Sequence, residues 1–152
     1  MYNFEVSKTS RKLKILIING PNLNLLGKRE PTLYGKQGFK DFLKEVRHQF
    51  STVAIDYFQS NLEGDLINRL HEADNENYEG VVLNAGGYSH TSVALADAVA
   101  AIQTKVVGVH ISNIYQREQE RHKELLSQYL EGGIFGFGMQ GYTLAIQSLI
   151  NQ

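Results

Sequence analysis

The 152-residue chain balances 15 Lys and Arg against 16 Asp and Glu, a formal net charge of −1. That leaves no basic footprint for nucleic acid or an anionic membrane surface. The chain has no cysteine, which excludes disulfides, thiolate zinc sites, iron–sulfur clusters and cysteine nucleophiles. An apolar fraction of 42% with 20% charge is that of one globular domain with a real core. No apolar run approaches the roughly 20 residues of a membrane span, and the N-terminus has no signal-peptide core, so a soluble cytoplasmic protein is expected.

Residues 1–12 are polar and aperiodic and are expected to form a loose arm ahead of a single domain at 13–152. The apolar run 13–18 predicts a buried strand. It ends in Asn19-Gly20-Pro21, which must turn at once, because proline fixes φ and glycine permits φ > 0. The connection that follows is long for a strand-to-helix loop, as functional lids and disordered segments are; a plain polar surface loop is the other reading. It carries Arg29, Glu30 and Tyr34 between two possible hinges, Gly27 and Gly35.

Further along, β-branched runs predict strands at 53–58, 81–83, 106–110 and 134–137. Amphipathic stretches predict helices at 39–50, 64–75, 92–102, 116–129 and 142–150. Phe39, Phe42, Leu43, Val46 and Phe50 have the spacing of a helix with one buried face, and His90-Thr91-Ser92 supplies N-cap hydroxyls for the third helix. Five strands alternating with helices imply an α/β fold: a flavodoxin-like open parallel sheet with helices on both faces.

Ligands of such sheets sit at the carboxyl ends of the strands, and here those ends are polar. Strand one ends in Asn19 and Asn22, and strand two in Gln59-Ser60-Asn61. Strand three ends in the run from Asn84 to His90, and strand four in His110-Ile111-Ser112-Asn113, with Arg117 and Arg121 following. Amides, hydroxyls, histidines and arginines on one rim suit a small, oxygen-rich anion. Taken singly, such residues also serve as helix caps or hydrogen-bonded core groups.

Other chemistries fit less well. Gly136-Phe137-Gly138-Met139-Gln140-Gly141 matches the dinucleotide fingerprint, but that fingerprint needs a further strand with an acidic residue about 20 positions on. These glycines are read as close packing at the last strand–helix turn. There is no phosphate-loop motif and no HExxH pair. His48, His71 and His122 lack partners at metal-ligand spacing and are read as solvated. Lys14 and Lys105 open their strands, at the wrong end of the sheet for a Schiff base.

Together, segments 19–35, 59–64, 84–97, 109–113 and 136–144 resemble the type II 3-dehydroquinate dehydratases in block order and spacing. The resemblance runs from about Leu13 to the C-terminus. It implies a cofactor-free, metal-free lyase that converts 3-dehydroquinate to 3-dehydroshikimate in the shikimate route to aromatic compounds. It also implies a homo-oligomer, a tetramer of trimers, with no nucleic-acid or membrane partner.

The reaction removes a proton beside a ketone, forms an enolate and expels a β-hydroxyl, so it needs a base, an enolate stabiliser and a general acid. The resemblance gives Tyr34 as the base and Arg29 as the cation that lowers the phenol pKa. It gives Asn22 as holder of the water at the enolate oxygen, and His110 as the acid. Moving a phenol from about 10 to about 7 takes roughly 4 kcal/mol of preferential tyrosinate stabilisation. Asn84, His90, Arg121 and the Ile111 and Ser112 amides would hold the substrate, while Asp97 would reach a neighbouring subunit's site.

Two departures stand out. The family commonly has a carboxylate two residues before the strand-four histidine, where this chain has Gly108. It tends to have an aromatic residue at Glu120 and a serine near Glu124. Glu118 or Glu120, on the helix expected to follow, would have to fold back to restore the missing charge. Gly108 keeps open an alternative: a catalytically weakened homologue serving as a small-molecule binding or regulatory protein. A flavodoxin-like flavin or nucleotide binder is a third reading, and it lacks the phosphate cradle it needs after strand one.

Overall fold

Alternating apolar side chains make every central strand two-faced, and the sheet is built on that property. A computed structural model describes residues 11–28 and 30–152, without the side chains of Leu33 and Tyr34. The first ten residues of the expected arm lie outside the described residues. Strands β1 (Leu13–Asn19), β2 (Val53–Gln59), β3 (Gly80–Asn84), β4 (Lys105–His110) and β5 (Gly132–Phe135) form one parallel sheet in the order β2-β1-β3-β4-β5. This is the flavodoxin-like order, with the strand sequence reversing between β1 and β3.

In β1, Ile15 and Ile17 face one core and Leu16 and Ile18 the other. The first core is closed by α2 (Phe39–Gln49) and α6 (Gln140–Ile150), the second by α3 (Glu63–Asn75) and α5 (Val93–Ala101). The expected apolar stripe of α2 is buried at Phe39, Phe42, Leu43 and Val46, with Phe50 packed against it. Ser92 caps α5, its hydroxyl accepting from the Leu95 amide at 2.9 Å. Two four-residue helices, α1 (Pro31–Tyr34) and α4 (Tyr88–Thr91), sit in the loops after β1 and β3. Among the described residues no helix is long and apolar enough to cross a membrane.

Two expectations are corrected. The helix expected at 116–129 does not form; the segment holds three short 3₁₀ turns, Ile114–Gln116, Gln119–Arg121 and Ser127–Tyr129. Its residues 115–124 are almost wholly polar and offer no apolar stripe, so a helix there would have no face to bury. Tertiary bonds hold it instead: the Leu125 amide donates to Ser89 O at 2.8 Å and the Glu131 amide to Val106 O at 2.8 Å. The last strand starts two residues earlier than expected, at Gly132, because its pairing with Val107 and Gly108 outweighs the poor strand propensity of Gly132 and Gly133.

At the far end of the sheet, Asp74 Oδ1 accepts from the Gln103 amide, the Thr104 amide and the Thr104 hydroxyl, at 2.8–2.9 Å. These bonds, those of Thr104 first, lower the Asp74 pKa. A lowered folded-state pKa stabilises the fold above the ordinary aspartate value, and the gain is lost as pH falls through the lowered one. Asp74→Ala is therefore expected to cost about 1–2 kcal/mol at pH 7 in urea unfolding. The gap to wild type should narrow below about pH 4; a gap unchanged across that range would contradict the assignment.

Candidate active site

The loops after β1, β3 and β4 meet above the point where strand order reverses. Pro21, Asn22, Leu23, Leu25 and Leu26 come from the first and Asn84 and Gly86 from the second. His110, Ile111, Ser112, Ile114, Arg117 and Arg121 complete the lining of one cleft. Asn22 takes a left-handed backbone, φ 68°, and its amide donates to Asn61 Oδ1 at 2.9 Å. Gln59 Nε2 donates to the same oxygen, and the Tyr88 hydroxyl donates to Asn61 O at 3.0 Å. Asn61 thus ties three loops together, a role not visible in its position after strand two.

Leu23 and Leu26 are buried and root the first half of the β1 loop in the core. Beyond them, Gly27 and Gly35 have φ of 86° and 83°, values at which a Cβ is strained. They bracket Arg29, which lies outside the described residues, and Tyr34, which ends α1 and whose side chain does too.

Beneath the cleft runs a buried polar chain. The Tyr142 hydroxyl donates to Asn19 Oδ1 at 2.7 Å and accepts from Asn84 Nδ2 at 2.8 Å. Asn19 Nδ2 in turn donates to the Tyr57 hydroxyl at 3.4 Å, and Asn84 Oδ1 accepts from the Gly86 amide at 3.2 Å. Burial drives both phenols above their usual range, Tyr142 most strongly, so both stay protonated and serve structure. Tyr142→Phe would leave two buried partners unsatisfied and is expected to cost about 1–3 kcal/mol in urea unfolding. A loss under about 0.5 kcal/mol would show that the strand ends hold each other without it.

His110 ends β4 at the cleft wall. Its Nε2 lies 3.3 Å from Ser89 Oγ and 3.8 Å from Glu124 Oε1. The ring stacks on His90, with centroids 5.4 Å apart and planes 18° from parallel. Burial, more than any other cause, lowers the His90 pKa, which favours the neutral ring at pH 7. Because His90 Nδ1 meets the Lys123 carbonyl at 2.8 Å, that nitrogen carries the proton. Nε2 is then an acceptor, buried and without a hydrogen-bond partner among the described residues.

Glu118 does not fold back on His110; it pairs with Arg121 and approaches Arg117 Nε at 3.6 Å. The Arg121 hydrogen bond chiefly lowers its pKa. Glu120 is exposed, and the carboxylate set against the histidine is that of Glu124. Of the residues singled out in the sequence, Asn22, Asn84, His110, Ile111, Ser112 and Arg121 share the cleft. His90 joins them through its ring stack. Asp97 is exposed on α5 and is not part of the cleft lining. Among the described residues no group of three or more His, Asp or Glu is arranged to hold a metal ion.

Residues 13–150 match the family described as Dehydroquinase class II. The chain belongs to this family. A 3-dehydroquinate dehydratase from Bacillus pumilus is 49% identical over 140 residues, covering 90% of this chain and 94% of the relative. One from Bacillus licheniformis is 51% identical, covering 90% and 95%. The crystal structure of a type II dehydroquinase from Butyrivibrio crossotus superposes with a TM-score of 0.88 at 38% identity, over 91% of this chain and 97% of that one. With this class II dehydroquinase fold, the glycines at 136–141 fall at the turn into α6, where a Cβ on Gly141 would stand 3.3 Å from Val109 Cγ1. Gly141 packs as expected, whereas Gly136 and Gly138 take φ of 86° and 59°, and a Cβ on Gly138 would meet nothing within 4 Å.

Proposed function

We propose that this chain is the shikimate-pathway lyase that dehydrates 3-dehydroquinate to 3-dehydroshikimate through an enolate, with Tyr34 as base and His110 as acid. The observation that carries this reading is the cleft itself. On a chain of this family, it gathers Asn22, His110, the Ile111–Ser112 turn and Arg121 at the strand-order reversal. Tyr34 phenolate takes the proton beside the ketone, and the carbon–hydrogen electron pair moves into the enolate. Asn22 holds a water at the enolate oxygen. The electrons then return to form the carbon–carbon double bond as the β-hydroxyl leaves, protonated by His110 to give water. No oxidant or reductant is needed.

Arg29, five residues before Tyr34 on the same loop, supplies the charge that favours tyrosinate. The two phenols of the buried network are unsuited to the role, since burial raises both. The Ile111 and Ser112 amides and Arg121 bind the substrate carboxylate, while Asn84 and His90 hold ring hydroxyls. His90 Nε2, a buried acceptor without a partner among the described residues, suits a hydroxyl donor. Asp97, exposed on α5, would serve a neighbouring subunit in a cytoplasmic tetramer of trimers.

The test is to incubate purified protein with 3-dehydroquinate and follow the absorbance of the conjugated enone. Product is expected at the same rate with and without a chelator. No product would leave the weakened binding homologue as the better reading, and a rate abolished by the chelator would contradict the metal-free enolate route.

A further inference from the structure

His110 also lines a second cavity, of about 120 Å³, together with Ser89, Gly108, Glu124 and Leu130. Glu124 enters it from the 3₁₀ segment, its Oε1 3.8 Å from His110 Nε2, and the two side chains are only 12% and 16% exposed. The strand brings no carboxylate of its own. Gly108 shares a strand face with His110 but has no side chain, and a Cβ there would stand 2.6 Å from Leu130 Cδ1.

We propose that Glu124 is the positioning residue of the general acid, holding the His110 ring in one orientation for proton transfer. Ser89 fixes the direction of the ring. Its single hydroxyl proton goes to Gly86 O at 2.9 Å, so the 3.3 Å contact to His110 has Nε2–H donating to Ser89 Oγ. Nδ1 is then the atom that exchanges a proton with the substrate. At 3.8 Å Glu124 is too far for a second hydrogen bond and meets the ring as a charge beside Nε2. The other ionisable groups near the ring are not carboxylates: Arg117 and Arg121 line the same cleft, and His90 stacks on the ring. The carboxylate on the Ser89 side comes from the loop, where β4 has glycine at the strand position.

This inference rests on His110 being the acid, so the experiment separates the two. Glu124→Gln and Glu124→Ser are compared with Glu120→Gln, an exposed carboxylate, in kcat and KM. Both Glu124 variants are expected to lose about tenfold in kcat, part of the 10²–10⁴ of general acid catalysis. KM should change less than about threefold. Glu124→Asp, which keeps the carboxylate, is expected to recover part of the lost kcat. In NMR of the unliganded protein the His110 ring should hold one orientation in the wild type and more than one in Glu124→Gln. Folded Glu124 variants with wild-type kcat and a wild-type His110 ring orientation would overturn the proposal. Inactivity of the wild type with the Glu124 effect on ring orientation intact would overturn the acid assignment and leave the Glu124–His110 contact standing.

Discussion

Tyr34→Phe is expected to reduce turnover by about 10³-fold or more, at the upper part of the range for loss of a positioned acid or base. Removing a carbon-bound proton needs a basic oxygen near the substrate, and a tyrosine provides it only where roughly 4 kcal/mol favours the phenolate. Among the described residues the shifted phenols have moved the wrong way: burial raises Tyr57 and Tyr142, and Tyr78 is pushed up to about 12, again chiefly by burial. The β1 loop is rooted by Leu23 and Leu26, both buried, so losing one hydroxyl further along should leave the fold intact. Substrate-analogue affinity by calorimetry and the thermal midpoint should stay near wild type while kcat collapses. A variant that keeps more than a few per cent of kcat would show that Tyr34 is not the base.

His110→Gln is the second large effect, a loss of about 10²–10⁴-fold in kcat. Glutamine keeps a side-chain amide able to bond Ser89, but it carries no proton to give a departing hydroxyl. The stack on His90 and the bond to Ser89 are local, so the sheet should tolerate the change. A structural role would instead appear as a lower thermal midpoint with kcat largely preserved.

The order of elements was legible because β1, β3 and β4 are apolar runs buried on both faces, and α2 shows its one-sided stripe plainly. The rim was legible for the same reason, since polar residues ending apolar strands mark the carboxyl edge of the sheet. The segment 114–131 was not. It has strong helix formers and no proline, and only its lack of an apolar face argued against a helix. That error carried into the site. On a helix, Glu118 and Glu120 looked like the carboxylates able to reach His110; along the extended path held by Ser89 O and Val106 O, Glu124 arrives instead. The contacts of Ser89 with His110 and of Tyr142 with Asn19 span 21 and 123 residues, separations at which spacing carries no signal.

The division of labour between base and acid can be read in one NMR experiment in deuterium oxide with 3-dehydroquinate. His110→Gln is expected to exchange the proton beside the ketone for deuterium while forming little product, because Tyr34 still makes the enolate and the hydroxyl cannot leave. Tyr34→Phe should show neither exchange nor product. Exchange persisting in Tyr34→Phe, or absent from a folded His110→Gln protein, would contradict the assignment of these two residues.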